Sequence, residues 1–362
     1  MITRISHLPS RTIQLNNEDY LYFSGTSYLG IGHNKGFAVQ LEAGLEKYGT
    51  IFSASRNNNL QLDIYKTAED YLAEWFKSEA ALTVTSGMLA GILAVKYLND
   101  ATFLYVNQAH PAIWHNTPTQ FFTSDNILDE VHRTLALDKK IVLATNAIDP
   151  LFCEALNFDW INALPNDARI TILIDDSHGL GVCDETGNGH FELINKHLKN
   201  KKNIRFIVTA SLAKAIGIPG GVILSDKNTI TDISQSSFFF GASPIVPAYL
   251  FAFVRSKSIY SELLNVLRRN LNYFNQQCNE SVKNLLLNQK GYPVYFVRDN
   301  GLYDFLFKNK IFISNFAYPK STDKPITRIV LSALHTVQDL QMLINAMKEY
   351  TQKLEGSPTT KY

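Results

Sequence analysis

Several things are scarce in this sequence. Its 362 residues include only three cysteines, Cys153, Cys183 and Cys278. Three scattered thiols cannot make a disulfide framework or a zinc module. Neither sign of charge is in excess, since 34 Lys+Arg face 33 Asp+Glu for a net of +1. That balance argues against polyanion binding as the main activity, because counterion displacement needs a basic surface, so no nucleic-acid partner is expected. No apolar run approaches the roughly 18 residues of a membrane span, and MITRISHLPSRTIQL lacks the apolar centre of a signal peptide. The expectation is a soluble, cytoplasmic protein with no membrane partner. Internal repeats, low-complexity segments and a Walker A loop are also missing, and Gly179-Leu-Gly181 lacks the rest of a dinucleotide fingerprint.

What is present is an ordinary core-forming composition, 46% hydrophobic and 19% charged, with 22 Phe and 17 Tyr. The length suits two domains, or three. Short apolar, β-branched runs alternate with helical stretches, the pattern of βαβ units and a mainly parallel sheet. The runs are Ala81–Val84, Phe103–Val106, Ile141–Ala144, Ile170–Ile174, Ile204–Val208 and Gly221–Leu224. They are apolar on both faces, as strands covered by helices on both sides must be. Helices are expected at Ile64–Lys77, Met88–Leu98 and Trp160–Leu164. After Pro247 the texture becomes long helices (Ala248 to about Leu287), then a few strands, then a last helix opening at Thr336-Val-Gln-Asp339. Leu340, Leu343, Ile344 and Met347 lie on one face of that helix. The expected organisation is an N-terminal arm (1–40), a large α/β domain (41–246) and a smaller α+β C-terminal domain (247–362).

The chemistry concentrates at two strand ends. Ile170-Thr-Ile-Leu-Ile-Asp175-Asp176-Ser-His178-Gly-Leu-Gly181 is a buried strand ending in two carboxylates, a serine, a histidine and a glycine turn. In doubly wound sheets, ligands sit at the carboxyl ends of the strands. An aspartate at a strand end is common in its own right. A metal reading through Asp176, His178, His110 and His115 lacks close paired-ligand spacing, so no metal is expected. The second element is Ser211-Leu-Ala-Lys214-Ala-Ile-Gly217-Ile-Pro-Gly220-Gly221, a lysine between a strand and a glycine-rich turn. Most lysines are solvated surface charges. One set among apolar and small residues is better placed to lower its pKa and form a Schiff base. Together the pair has a specific use. A lysine forms an imine with pyridoxal phosphate (PLP), and an aspartate keeps the pyridine nitrogen protonated. Thr85-Ser86-Gly87-Met88 follows a strand and opens a helix, offering backbone N–H groups and a hydroxyl to a phosphate. His110, in the loop after Phe103–Val106, could stack on a ring.

These residues resemble the α-oxoamine synthase family, PLP enzymes of fold type I that join an amino acid to an acyl-CoA with loss of the carboxylate. The resemblance runs from Tyr20 to about Lys348. Tyr28-Leu29-Gly30, Tyr48-Gly49 and Ser55-Arg56 resemble its N-terminal motifs, and Thr85-Ser86-Gly87 its phosphate turn. Asp175-Asp176-Ser177-His178-Gly179 with Glu185-Thr-Gly-Asn-Gly189 matches the segment in which Asp175 would pair with the ring nitrogen and His178 with the 3′-oxygen. Ser211-Leu-Ala-Lys214 matches the Schiff-base segment, with Ser211 at the phosphate and His110 on the ring. Thr327-Arg328-Ile-Val-Leu-Ser-Ala-Leu-His335 gives Arg328 the place of the arginine that grips the substrate carboxylate. Three departures stand out. Thr26 replaces a substrate-holding Asn. Thr145-Asn-Ala-Ile-Asp-Pro150 is short and lacks the usual serine, for which Thr145 or Asn146 would have to substitute. Gly241-Ala-Ser243-Pro only loosely matches the segment whose hydroxyl, here Ser243, reaches the neighbouring subunit's phosphate. The resemblance implies a homodimer with its site at the interface, and an 8-amino-7-oxononanoate synthase-like condensation. Aminotransferase chemistry needs the same Lys and Asp, and a non-catalytic binding module on the same fold is the third reading.

Overall fold

The computed structural model describes residues 4–154, 156–318, 320 and 322–356. Two compact units emerge. One gathers the chain up to His33, a short stretch entered at Pro150, and everything from Ser261. The other runs Asn34–Asp149 and Leu156–Tyr260.

Among its described residues the second unit holds a six-stranded sheet. The strands are β1 (Ala80–Val84), β2 (Thr102–Tyr105), β3 (Ile141–Asn146), β4 (Ile170–Asp175), β5 (Arg205–Ser211) and β6 (Gly221–Ser225). They lie in the order β1-β6-β5-β4-β3-β2. Each expected strand is found, with no end moved by more than three residues. β2 to β5 run parallel, with Val142 beside Thr171 and Ile172 beside Phe206 in register. β6 is antiparallel to both β5 and β1. The link from Ser211 to Gly221 is too short for the dozen or more residues of a parallel crossover, so the chain must fold straight back. Every residue of β3 and β4 is buried, as two-sided coverage requires.

Helices α1 (Lys35–Tyr48), α2 (Asp63–Phe76) and α3 (Gly87–Tyr97) belong to this unit. α2 buries Ile64, Tyr65, Ala68, Leu72, Ala73 and Phe76 at three- and four-residue intervals and stops where Lys77 turns left-handed at φ 61°. α3 carries small residues on its buried side. A Cβ on Gly91 would meet the Ala112 carbonyl at 2.4 Å, so glycine there lets the Pro111–Ile113 turn lie directly on the helix.

The other unit has its own six-stranded sheet among the described residues. Its order is Thr12–Leu15, Glu18–Phe23, Ile311–Ala317, Pro325–Val330, Val294–Val297 and Leu286–Leu287. Within the stretch up to about residue 40, expected as an arm, Thr12–Leu15 and Glu18–Phe23 are therefore strands of a sheet, and a helix begins at Lys35. Asn16 and Asn17, both at positive φ, make the two-residue turn of a hairpin whose second strand pairs parallel with Ile311–Ala317. The unit boundaries accordingly fall at His33/Asn34 and Tyr260/Ser261 rather than at 40 and 246. The last helix, Val337–Gly356, buries the four apolar residues named from the sequence. Its start is capped both ways: Thr336 N–H donates to Asp339 Oδ2 (2.9 Å), and Asp339 N–H donates to Thr336 Oγ1 (3.2 Å). No helix among the described residues is long and apolar enough to cross a membrane.

Candidate active site

In the unit of β1–β6, the polar residues gather at the carboxyl ends of the parallel strands. β4 delivers Asp175, whose Oδ1 accepts the Ser177 N–H at 2.9 Å. Its Oδ2 lies 3.6 Å from Nδ1 of His110. That histidine sits beyond the end of β2, where its backbone N–H donates to Asn146 Oδ1 (2.9 Å). Asn146 in turn donates from Nδ2 to the Gln108 carbonyl (2.6 Å). One amide side chain at the end of β3 thus clamps the loop that carries His110. The imidazole Nδ1 accepts the Ala112 N–H at 3.2 Å, which places the ring proton on Nε2. Burial holds this imidazole below its ordinary range; the Lys214 charge acts the same way, and Asp175 pulls upward. The His110 side chain is still 41% exposed.

Lys214 occupies the turn between β5 and β6. The turn is closed by Leu212 N–H to the Gly220 carbonyl (2.9 Å) and Ile218 N–H to the Leu212 carbonyl (3.1 Å). Leu212, Ala215, Ile216 and Ile218 are sunk into the core, and Tyr260 Oη donates to the Ile216 carbonyl at 2.7 Å. Gly217 at φ 69° supplies the left-handed residue this path needs. The apolar neighbours anchor the turn and leave Lys214 half-buried.

Beside it the start of α3 forms a cradle. Ser86 is the N-cap, accepting the Leu89 N–H at 3.1 Å. A Cβ on Gly87 would stand 2.6 Å from Ser211 Cβ, and one on Gly221 would stand 2.2 Å from the Ser86 carbonyl oxygen. Only glycine at both places lets the helix start touch the ends of β5 and β6. Ser211 N–H donates to Ser177 Oγ at 2.8 Å, tying the cradle to the Asp175 turn. The first N–H groups of a helix have no intrahelical partner, and Ser86 and Met88 are exposed there, so the cradle can take an anion. An anion cradle, a carboxylate, an imidazole and a lysine in one region fit PLP by phosphate, ring nitrogen, ring face and aldehyde.

The remaining expected residues are placed as follows. His178 is half-buried in the turn after β4, and Ser243 is exposed before the Pro247–Arg255 helix. Thr26 and Arg328 belong to the other unit. Thr26 gives its carbonyl to the Tyr28 N–H at 2.9 Å. Arg328, on Pro325–Val330, lies over the Phe316 ring at 4.8 Å. Its Nη1 donates to the Pro150 carbonyl, and its Nε is buried without a hydrogen-bond partner.

Thr145 and Asn146, at the place of the missing serine, are both engaged within the protein. Thr145 is 1% exposed and bonds the Asn146 carbonyl, while the Asn146 amide is taken up by the His110 loop. Of the other residues weighed as metal ligands, Asp176 pairs with His190 and His115 stacks on Phe103 at 5.1 Å.

The Asp176–His190 pair was missed from the sequence. Asp176 Oδ2 accepts the His190 N–H (2.7 Å) and Oδ1 meets its Nδ1 (3.0 Å), both residues being buried. Burial pushes the imidazole down, but the facing Asp176 charge and hydrogen bond outweigh it and raise the pKa. A doubled Asp after an apolar strand was a usable signal, because a second carboxylate there needs a buried partner.

Residues 26–347 match the family described as aminotransferase class I and II. The 8-amino-7-oxononanoate synthase of Buchnera aphidicola is 24% identical over 374 residues, covering 93% of this chain and 91% of that protein. The serine palmitoyltransferase of Sphingobacterium spiritivorum is 23% identical over 358 residues, covering 92% and 87%. A solved serine palmitoyltransferase from S. paucimobilis with bound PLP–myriocin aldimine superposes with a TM-score of 0.80 at 13% identity, over 98% of this chain and 93% of that one. With Asp175, Lys214 and the Ser86–Ser211 cradle all inside the matched stretch, the chain belongs to the aminotransferase class I and II family and has the type I fold of PLP-dependent transferases.

Proposed function

We propose that this protein is a PLP-dependent acyltransferase that condenses an α-amino acid with an acyl-CoA thioester, with loss of CO2, to give an aminoketone. The observation that carries the reading is the convergence of Asp175, His110 and Lys214 beside a helix-start anion cradle. When bound, PLP supplies the electron sink for bond cleavage at the amino acid's Cα. The chain's residues do the rest. Asp175 holds a proton on the pyridine nitrogen, and the Ser86 and Ser211 hydroxyls with the first N–H groups of α3, at Gly87 and Met88, hold the phosphate. His110 presents its ring face to the cofactor and its Nε2–H toward the incoming thioester. Lys214 Nζ takes the Cα proton and returns it. By motif, His178 bonds the 3′-oxygen and Arg328 takes the substrate carboxylate. Ser243 would serve the phosphate of a second copy in a cytoplasmic homodimer.

The test is CoA and CO2 release from the PLP-loaded protein with glycine, L-alanine or L-serine, each with and without an acyl-CoA. Release that needs both substrates, and that drops at least a hundredfold (about 10²) in Lys214→Ala, is expected. The family match favours aminotransfer as the second reading. Conversion of the cofactor to its amine form by amino acid alone would establish that instead, and binding without any turnover would leave only a cofactor-binding module.

A further inference from the structure

Arg328 is closed on two sides. Its Nη1 is given to the Pro150 carbonyl, and its Nε is buried without a partner. A bidentate grip on a carboxylate needs two aligned N–H donors on the guanidinium edge. In this conformation that edge is not available, and an orphaned buried donor marks a state that a ligand would relieve.

The blocking carbonyl opens a segment with its own anchors. At Pro150 the chain passes from one unit to the other, and Pro150, Phe152, Phe296 and Arg328 all belong to the same one. Phe152 packs edge-on against Phe296, centroids 5.3 Å apart at 67°. Cys153, fully buried, takes φ 57°, a left-handed turn unusual for a side-chain-bearing residue. Proline fixes its own φ, which stiffens the direction of the carbonyl that follows.

We propose that Pro150–Cys153 is a strap over the carboxylate grip: a substrate carboxylate takes Arg328 only as the Pro150 carbonyl withdraws, and the strap thereby selects charged carboxylates over neutral analogues. This rests on the reading of Arg328 as the carboxylate-binding residue. A carboxylate brings a full opposite charge and two parallel N–H···O bonds to the guanidinium, so it displaces the single carbonyl where a neutral amide does not. Apparent affinity is then reduced by the fraction of molecules with the strap open.

The strap carries its own reporter. PLP-loaded protein would be titrated with L-alanine and with L-alaninamide, following the absorbance of the cofactor. In parallel, iodoacetamide labelling of Cys153 would be timed against Cys183 and Cys278, which are also buried. Saturating L-alanine should speed labelling of Cys153 severalfold and leave the other two unchanged, and L-alaninamide should have no such effect. Phe152→Ala, which removes the aromatic anchor, should bind L-alanine about two- to tenfold more tightly and label faster at rest. Phe152→Leu keeps apolar bulk, separates release of the strap from unfolding, and should fall between. Saturable L-alanine binding with Cys153 labelling unchanged, and no tightening in either variant, would overturn the strap and leave the Arg328 reading standing. L-alanine affinity unchanged in Arg328→Ala would overturn both.

Discussion

Replacing Gly87 with alanine should spring the phosphate cradle open. The added methyl would stand 2.6 Å from Ser211 Cβ, 2.7 Å from its Cα and 2.9 Å from its N, where ordinary contact begins at 3.4 Å. Two of those atoms are backbone, and they cannot swing aside as a flexible side-chain tip would. Ser211 is held by its bond to Ser177 Oγ and by its pairing with Gly221. Forcing a methyl into so tight a place costs about 1–3 kcal/mol. Alanine's better helix propensity returns at most about 1 kcal/mol of this. The net loss should lower the melting temperature by about 2–4 °C per kcal/mol. Cofactor affinity should fall further, because α3 must back away from Ser211 and lengthen its reach to the phosphate. A tenfold weaker PLP complex corresponds to about 1.4 kcal/mol. Thermal melts of the cofactor-free protein and PLP titrations followed by absorbance separate the two effects. Gly241→Ala is the control, since nothing lies within 4 Å of its added Cβ and its φ is not left-handed, so both readouts should stay put. A Gly87→Ala protein that melts lower yet binds PLP as well as the native one would refute the cradle as the phosphate site.

Asn146→Ala removes both bonds that clamp the His110 loop and should cost about 2 kcal/mol in urea unfolding while slowing turnover. Unaltered turnover at reduced stability would mean that His110 does not need the clamp. His335 is held by burial at about 4, with Nε2 donating to the Tyr22 carbonyl and Nδ1 accepting the Ser332 N–H. Because this value lies below the unfolded one of about 6.5, the unfolded chain takes up a proton that the native chain refuses as pH falls between them. Stability should therefore drop from pH 6.5 toward 4, by about 3 kcal/mol for this group alone. Urea midpoints across that range should decline less in His335→Gln, and parallel curves for the two proteins would exclude His335 as the cause.

The strands and the reacting residues were legible for the same reason. β3 and β4 are mostly apolar because both faces are buried, so a charged residue at the end of such a run, like Asp175, stands out in the sequence. Lys214 is conspicuous among Leu212, Ala213, Ala215 and Ile216 in the same way. What escaped is whatever depends on a partner far along the chain. His190 pairs with a carboxylate fourteen positions earlier. Asn146 has its amide satisfied by backbone at residues 108 and 110, which made it look available for a ligand. The Asn16–Asn17 turn is a local signal, but the strand beyond it finds its sheet only through Ile311–Ala317.

That last pairing bears on how the chain is made. Leu21 lies opposite Ile311, so the hairpin leaves the ribosome early and its neighbouring strand arrives about 15–60 s later at ordinary elongation rates. Through that interval Glu18–Phe23 presents an unpaired edge bearing Tyr20, Tyr22 and Phe23, the kind of surface on which nascent chains stick to one another. The Asn34–Asp149 and Leu156–Tyr260 unit can meanwhile close on itself. Productive synthesis should then hinge on shielding Glu18–Phe23 until Ile311–Ala317 emerges, which makes the yield of this protein more sensitive to chaperone supply and growth temperature than its finished structure suggests.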